Sequence, residues 1–183
     1  MMRWFFILFI GLIGGFLFLQ VGKLQRNSQL PVFLLTDTIA KEHHTEINIS
    51  ISSLYKPDTA EIEILKQDYS AIWAHLNHLY ETNDVEKGKE YYTEDWFKQI
   101  CSHLDNKLVP NEVYRKDVEH NLVIENWAND GLVCTAIDRN VVFKYTYANS
   151  HTIITKATIA VVLLLQGDHW RIDAIRIINE EKQ

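Results

Sequence analysis

The chain of 183 residues contains little cysteine and no cluster of basic side chains. Its two cysteines, Cys101 and Cys134, are too few for a disulfide-built fold and lack the spacing of a zinc site. We predict that both are buried small apolar residues, and a single disulfide is the alternative in an oxidising compartment. Eighteen Lys and Arg residues stand against 24 Asp and Glu residues, so the net charge is −6. This balance argues against a nucleic-acid partner.

Composition and length indicate one globular domain with a short appendage. Hydrophobic residues make up 47% of the chain and charged residues 23%, which excludes wholesale disorder. No internal repeat and no low-complexity segment interrupts the sequence. The domain therefore has enough apolar residues to bury a core of its own.

The amino terminus carries the longest apolar run, residues 4–19, preceded by Arg3. At ~1.5 Å per residue the run reaches ~24 Å, and its extension to Val21 brings it close to a ~30 Å bilayer core. No small-residue cleavage site follows it. We predict a signal anchor at residues 1–21, with residues 4–21 in the membrane, and a cleaved signal peptide is the alternative. The short tail before Arg3 predicts a single-pass protein whose C-terminal domain is extracytoplasmic, although Lys23 and Arg26 nearly balance the charge count.

Residues 22–57 are predicted as a juxtamembrane linker with one short strand, and residues 58–183 as the domain. Ile47, Ile49 and Ile51 alternate with polar residues, which is typical of a half-buried strand. The first strong helix covers Ala60–Tyr80 behind an N-cap at Asp58 or Thr59. A second helical region, residues 85–104, has an interruption at Tyr92–Thr93. Residues 106–116 are polar and are predicted as a loop.

Four strands joined by short turns follow, and short turns require antiparallel neighbours. The predicted ranges are His120–Trp127, Leu132–Tyr147, Thr152–Gln166 and Trp170–Ile178, and residues 179–183 are predicted to fray. The polar residues 138–140 predict a bulge in the second of these strands. Strict alternation places two sets of residues on common faces: Val133, Thr135, Ile137, Val141, Phe143, Tyr145 and Tyr147 in that strand, and Trp170, Ile172, Ala174 and Ile178 in the last.

Two or three helices followed by a curved antiparallel four-stranded sheet give an α+β domain. The helix Ala60–Tyr80, the segment VEKGKEYYTEDWFKQI (Val85–Ile100) and the closing GDHWRIDAIRII (Gly167–Ile178) resemble the nuclear transport factor 2-like superfamily. The resemblance implies a cone with a pocket at its open end. It also implies either a non-catalytic domain or an enzyme of the ketosteroid isomerase or polyketide cyclase type. An anchor ahead of such a domain is similar to the periplasmic assembly subunits of type IV secretion machines.

Candidate site residues are mostly aromatic. The set predicted to line an apolar ligand pocket, or else simply to form the core, is Tyr69, Trp73, Tyr92, Trp96, Trp127 and Phe143. Asp138 is the candidate catalytic base, with the alternative that it pairs with Arg139 or Arg171 on the solvent face. The pair His75 and His78 lacks a third ligand and is predicted to be solvated or at the boundary, so we predict no metal and no cofactor.

Three functions remain open from the sequence. The first is a membrane-anchored, exported, non-catalytic domain that binds a small apolar ligand or a protein partner. The second is a small-molecule isomerase or cyclase with Asp138 as its base. The third is an assembly subunit of a secretion or envelope complex, which predicts a homodimer through the sheet. The absence of a matched catalytic set favours the first.

Overall fold

The computed structural model describes residues 37–43, 45–103 and 112–182. A compact unit runs from Thr38 to the carboxyl terminus. The predicted anchor at residues 1–21 lies outside the described residues, so the anchor and the extracytoplasmic location stay predictions. Within the described ranges, no helix is both long enough and apolar enough to cross a bilayer.

The described unit contains three α-helices, one 3-10 segment and six strands, which confirms the predicted α+β class. The helices are α1 (Thr38–Glu42), α2 (Thr59–Thr82) and α3 (Glu94–His103), with the 3-10 segment at Glu86–Tyr91. The strands are β1 (Glu46–Ile51), β2 (Val113–Asp117), β3 (Glu119–Trp127), β4 (Val133–Tyr147), β5 (Thr152–Gln166) and β6 (His169–Lys182).

The six strands form one mixed sheet in the order β1-β3-β4-β5-β6, with β2 paired to β4. Strands β3 to β6 are antiparallel neighbours, as predicted. The predicted count of four strands is wrong, because β1 pairs in parallel with β3 and β2 pairs with the C-terminal half of β4. Residues 113–117 are therefore strand rather than loop. The short strand predicted within the linker is β1, and it belongs to this sheet.

Helix α2 is the long helix that packs against the sheet. Asp58 and Glu61 form a capping box at its start, where the Asp58 carboxylate accepts the Glu61 N–H at 2.8 Å. Tyr69, Ile72 and Trp73 lie on its buried face. The helix ends at Asn83, which adopts φ 59°, a left-handed conformation that asparagine tolerates.

The predicted interruption at Tyr92–Thr93 is confirmed, since the 3-10 segment ends there and α3 begins after it. The Thr93 hydroxyl accepts the Trp96 N–H at 3.2 Å and so caps α3. The Thr93 N–H donates to the Ile172 carbonyl at 3.0 Å, which ties this corner to β6.

Bulges in β4 and β6 change which residues face the inside of the sheet. In β4, Asp138 pairs with Ile159 and Val141 with Ala157, so Arg139 and Asn140 together oppose one residue. The bulge was predicted, but its effect on the faces was not. Cys134, Ala136 and Asp138 are buried together with Val141 and Phe143, so the prediction that Val133, Thr135 and Ile137 share a face with Val141 and Phe143 is wrong.

A second bulge interrupts β6 between Ile172, which pairs with Leu163, and Ala174, which pairs with Val162. Beyond it Ile175 pairs with the buried Val161 and Ile177 with the buried Ile159. The predicted placement of Ala174 and Ile178 with Trp170 and Ile172 is therefore wrong.

Two smaller predictions also need correction. Asn179–Lys182 pair with β5 and are strand rather than a frayed tail. Cys134 is buried, as predicted, but Cys101 is exposed on α3, and the two are not bonded to each other.

Candidate functional site

A cavity of about 390 Å³ opens between α2 and the inner face of the sheet. This volume is within the range of small-molecule sites. Most of its lining is aromatic or aliphatic, and Arg115 is the one charged side chain among the lining residues. Those residues are Trp73, Leu76, Leu79, Tyr80, Asn83, Arg115, Phe143, Tyr145, Ile159, Ile175 and Ile177.

Asp138 lies at the centre of a buried polar network, and its side chain is not exposed. One carboxylate oxygen accepts the Tyr69 hydroxyl at 2.8 Å and lies 2.6 Å from Nδ1 of His120. The other oxygen accepts the Asn121 backbone N–H at 2.9 Å. The bulge at residues 139–140 positions Asp138 for these contacts, because it keeps Asp138 and Val141 on the same buried face.

His120 extends the network towards the cavity. Its Nε2 lies 2.9 Å from the carboxylate of Asp117, which also accepts a hydrogen bond from the Asn77 side-chain amide. The Asn77 side-chain oxygen in turn accepts Nε–H of Arg115 at 2.7 Å. A continuous chain of hydrogen bonds therefore connects Asp138 with the arginine in the cavity wall.

The two carboxylates keep the imidazole charged. Burial alone would lower the pKa of His120, but hydrogen bonds to Asp117 and Asp138 outweigh it and raise the pKa to about 8. Burial would likewise raise the pKa of Asp117, and His120 outweighs that effect and lowers it to about 2. Burial and the neighbouring carboxylate of Asp138 raise the pKa of the Tyr69 phenol well above its usual range. Near neutral pH the network thus holds an imidazolium between two carboxylates.

The geometry positions side chains rather than exposing a base. Both ring nitrogens of His120 and both oxygens of Asp138 have partners inside the protein. Neither residue lines the cavity. The Trp73 ring, which does line it, packs on the His120 ring with centroids 4.8 Å apart. A general base needs a free lone pair within hydrogen-bonding reach of the substrate, and neither group offers one in this conformation.

Arg115 is held among aromatic rings. Its guanidinium carbon lies 5.8 Å from the ring centroid of Trp73, 4.9 Å from that of Tyr80 and 5.3 Å from that of Phe143. These are cation–π distances. Burial lowers the pKa of Arg115, but an arginine remains protonated at any physiological pH. The cavity therefore has an apolar wall with one fixed positive charge.

Two of the six aromatic residues predicted for a pocket, Trp73 and Phe143, line this cavity. Tyr69 is in the buried network instead. Tyr92 is buried against Gly88 in the core, and Trp127 packs on Trp170 with centroids 4.9 Å apart. Trp96 is half-buried on α3 and borders a different, shallower depression.

Asp138 faces inwards, and the alternative of an ion pair on the solvent face is wrong. Arg139 lies beside Glu125 instead, at 3.6 Å. The histidine prediction needs a similar correction, because His75 is buried and its ring stacks on Tyr91 at 4.9 Å. No group of three or more His, Cys, Asp or Glu residues in the described ranges is arranged to hold a metal ion.

Four residues of the site were not predicted from the sequence: Asn77, Arg115, Asp117 and His120. One signal was available, because His120 is in phase with the buried residues Leu122 and Ile124 of β3. Asn77 lies one helical turn beyond Trp73 on α2, which also places it on the buried face. Arg115 falls in residues 106–116, which were predicted as a loop, and Asp117 follows directly after them, so the strand that positions both side chains was not predicted.

Comparison with known proteins gives little further information. No protein-family model matches the chain, and no curated protein matches its sequence. Among solved structures, a hexachlorocyclohexane dehydrochlorinase (LinA) type 2 has 8% identity and a TM-score of 0.49, over 69% of this chain and 93% of that one. Bd1075 of Bdellovibrio bacteriovorus has 18% identity and a TM-score of 0.43, over 66% of this chain and 42% of that one. Similarities of this size bear on neither the ligand nor the activity of this chain.

Proposed function

We propose that residues 38–182 form a non-catalytic domain with the cone of the nuclear transport factor 2-like superfamily, which binds a small apolar ligand in the cavity between α2 and the sheet. The observation that carries the proposal is the cavity of about 390 Å³ with its aromatic and aliphatic wall. The element order supports the cone, because helices precede a meander of four antiparallel strands that closes on α2.

Burial of apolar ligand surface supplies the free energy of binding. Each square ångström of apolar surface removed from water contributes roughly 25 cal/mol, so even partial burial of a small ligand is favourable. Trp73, Phe143 and Ile159 are already buried against the core, which means that the wall is largely formed before a ligand arrives. A preformed wall lowers the entropic cost of binding.

Isomerase or cyclase chemistry is the second candidate. One observation favours it: the hydrogen-bonded pair of His120 and Asp138, which combines residue types that serve as acids and bases. Catalysis would require the Trp73 ring to move so that His120 meets a substrate. The binding proposal needs no such movement, and we therefore prefer it.

The proposal is tested by filling the cavity. Ile175 lines it, and a tryptophan at this position would occupy much of its volume. We expect Ile175→Trp to weaken binding of the small fluorescent aromatic probe 1-aminonaphthalene at least tenfold relative to the wild-type chain. Fluorescence titration measures this directly.

Ile178→Trp is the matched control. Ile178 is on the same strand, is 56% exposed and does not line the cavity. We expect this variant to bind the probe as the wild type does. Absence of probe binding by the wild-type chain, or equal loss in both variants, would contradict the proposal.

We also propose that residues 4–21 anchor this domain in a membrane, with the domain on the extracytoplasmic side. The length and apolar character of the run support the anchor. Extraction of membranes with alkaline carbonate tests it, because an integral segment stays in the pellet. Release of the full-length chain into the supernatant would contradict it.

A homodimer through the sheet is a further proposal. The outer sheet face carries half-buried apolar residues on adjacent strands, where Ile137 pairs with Ala160 and Val133 with Leu164. A dimer would cover this strip. Sedimentation of the wild-type chain and of Leu164→Glu tests it, and a wild-type chain that is monomeric at all concentrations would contradict it. The assembly-subunit function rests on the same dimer and stays a prediction.

A further inference from the structure

We infer that the ligand carries a carboxylate at one end and that Arg115 binds this group, so that the cavity takes a medium-chain monocarboxylate. This inference rests on the proposed function of the cavity, and it adds the chemical class of the ligand. It is carried by the position of an arginine in a wall that is otherwise apolar or uncharged.

The guanidinium of Arg115 has more N–H donors than the described residues accept. In the described part of the chain it makes one side-chain hydrogen bond, from Nε to Asn77. An arginine carries five N–H donors in a rigid fork, which matches the two oxygens of a carboxylate. The rings of Trp73, Tyr80 and Phe143 flank the group and accept no conventional hydrogen bond. A ligand in the cavity can therefore meet the unused donors.

The described carboxylates around Arg115 do not hydrogen-bond its guanidinium. Asp117 is bonded to His120 and to the Asn77 amide. Burial raises the pKa of Glu81, and the positive charge of Arg115 opposes this effect. Among the described residues the guanidinium therefore has no hydrogen-bonded carboxylate, and a half-buried cation favours an anionic partner.

The network fixes the guanidinium in place. Asn77 can accept from Arg115 because its amide nitrogen is held by Asp117, and Asp117 is held in turn by the imidazolium of His120. A long, flexible side chain therefore occupies one orientation. Such preorganisation is what gives a charged anchor its selectivity.

The cavity volume limits the ligand's length. At ~30 Å³ for each water-sized group, 390 Å³ holds roughly a dozen heavy atoms. A straight-chain acid of about ten carbons fits this volume, and decanoate is the probe. Its neutral counterpart 1-decanol has the same chain and no charge, so the pair isolates the contribution of the head group.

The experiment compares decanoate and 1-decanol on the purified full-length chain by displacement of 1-aminonaphthalene. We expect the wild type to bind decanoate ~10- to 100-fold more tightly than 1-decanol, as hydrogen bonds to a charged group suggest. Arg115→Met should abolish this preference, so that decanoate and 1-decanol bind the variant with equal affinity. Arg176→Met, which removes an exposed positive charge on β6, should keep the preference.

If Arg115→Met does not fold, a measurement on the wild type alone still tests the inference. The carboxyl resonance of [1-¹³C]decanoate, followed between pH 6 and pH 4, should report a bound acid that stays ionised at lower pH than the free acid, because a guanidinium stabilises the anion. A bound acid that titrates like the free acid overturns the inference.

Two results distinguish failure of the carboxylate inference from failure of the proposed apolar binding site. Equal affinity for decanoate and 1-decanol in the wild type overturns the carboxylate and leaves the apolar site intact. Absence of binding by both compounds overturns the site as well.

Discussion

His120 and Asp138 lie 2.6 Å apart in the protein interior, Nδ1 to carboxylate oxygen, and neither side chain is exposed. The second ring nitrogen of His120 meets Asp117 at 2.9 Å. A buried imidazole with a carboxylate on each side is stable as the cation, since the attraction offsets its desolvation. This arrangement makes the stability of the domain depend on pH and makes Asp138 structurally indispensable.

We predict that the domain loses stability as pH rises from 6.5 to about 8. The folded-state pKa of His120, about 8, lies above its ordinary 6.5, so its contribution is complete below pH 6.5 and is lost as pH rises through 8. The loss amounts to about 2 kcal/mol. Urea unfolding at pH 6 and pH 9 measures it.

His120→Gln should flatten this pH dependence, whereas His151→Gln, at an exposed position, should retain it. Burial lowers the pKa of His78, so His78 titrates below pH 6.5 and outside this window. A wild-type free energy of unfolding that is equal at pH 6 and pH 9 would contradict the charged imidazole.

Asp138→Asn should destabilise the domain by about 3 kcal/mol, because it removes one partner of a buried ion pair. The amide also cannot accept from Tyr69, His120 and Asn121 as the carboxylate does. Thermal or urea unfolding gives the value. Asp95→Asn, at an exposed pair with Lys98, should change it by less than about 1 kcal/mol. Equal effects of the two substitutions would show that Asp138 is not in a buried pair.

Trp73→Leu should make His120 accessible from the cavity. In the wild type the Trp73 ring packs on His120, and we expect diethyl pyrocarbonate to modify the exposed His103 and His151 but not His120. At pH 8, where part of the His120 imidazole is neutral and can react, modification of His120 in the variant should be severalfold that in the wild type. Peptide mapping by mass spectrometry reads each histidine separately. Modification of His120 in the folded wild type at the rate of His151 would indicate that the imidazole is already open to ligands.

Gly88→Ala should destabilise the corner between the 3-10 segment and α3. A Cβ at this position would clash with the ring and hydroxyl of Tyr92, which is 1% exposed. Overpacking of this kind costs ~1–3 kcal/mol. Adding Tyr92→Leu should recover part of the loss in a double-mutant cycle of urea unfolding. Absence of any coupling between the two positions would mean that they do not touch.

The elements with local patterns were predictable from the sequence. Helix α2 has a 3.6-residue apolar period and a capping box, and β3 to β5 have β-branched runs between turn residues. The strand β2 was missed because it is polar and short, and because its pairing with the end of β4 lies 26 or more residues away along the chain. Such pairing leaves no local pattern.

The site was harder to predict than the fold, because the bulges in β4 and β6 determine which side chains face the cavity. Alternation places Asp138 and Ile137 on opposite faces of β4. It does not predict which of the two faces inwards, because the bulge at Arg139 and Asn140 adds one residue to this strand. The same applies to Ile175 and Ile177 beyond the bulge in β6. A bulge inverts the face of the side chains that follow it, so the two bulges decide the faces of four lining residues: Phe143, Tyr145, Ile175 and Ile177. His120 on β3 is in phase with the buried Leu122 and Ile124, so alternation could have predicted its inward position.

The most direct test of the binding site is to locate an apolar ligand by intermolecular nuclear Overhauser effects on the full-length chain. With 1-decanol bound, we predict effects between the alkyl chain and the rings of Trp73 and Phe143 and the methyl groups of Ile159, and none to Ile178. Effects confined to the outer sheet face, at Val162 or Leu164, would contradict an internal binding site.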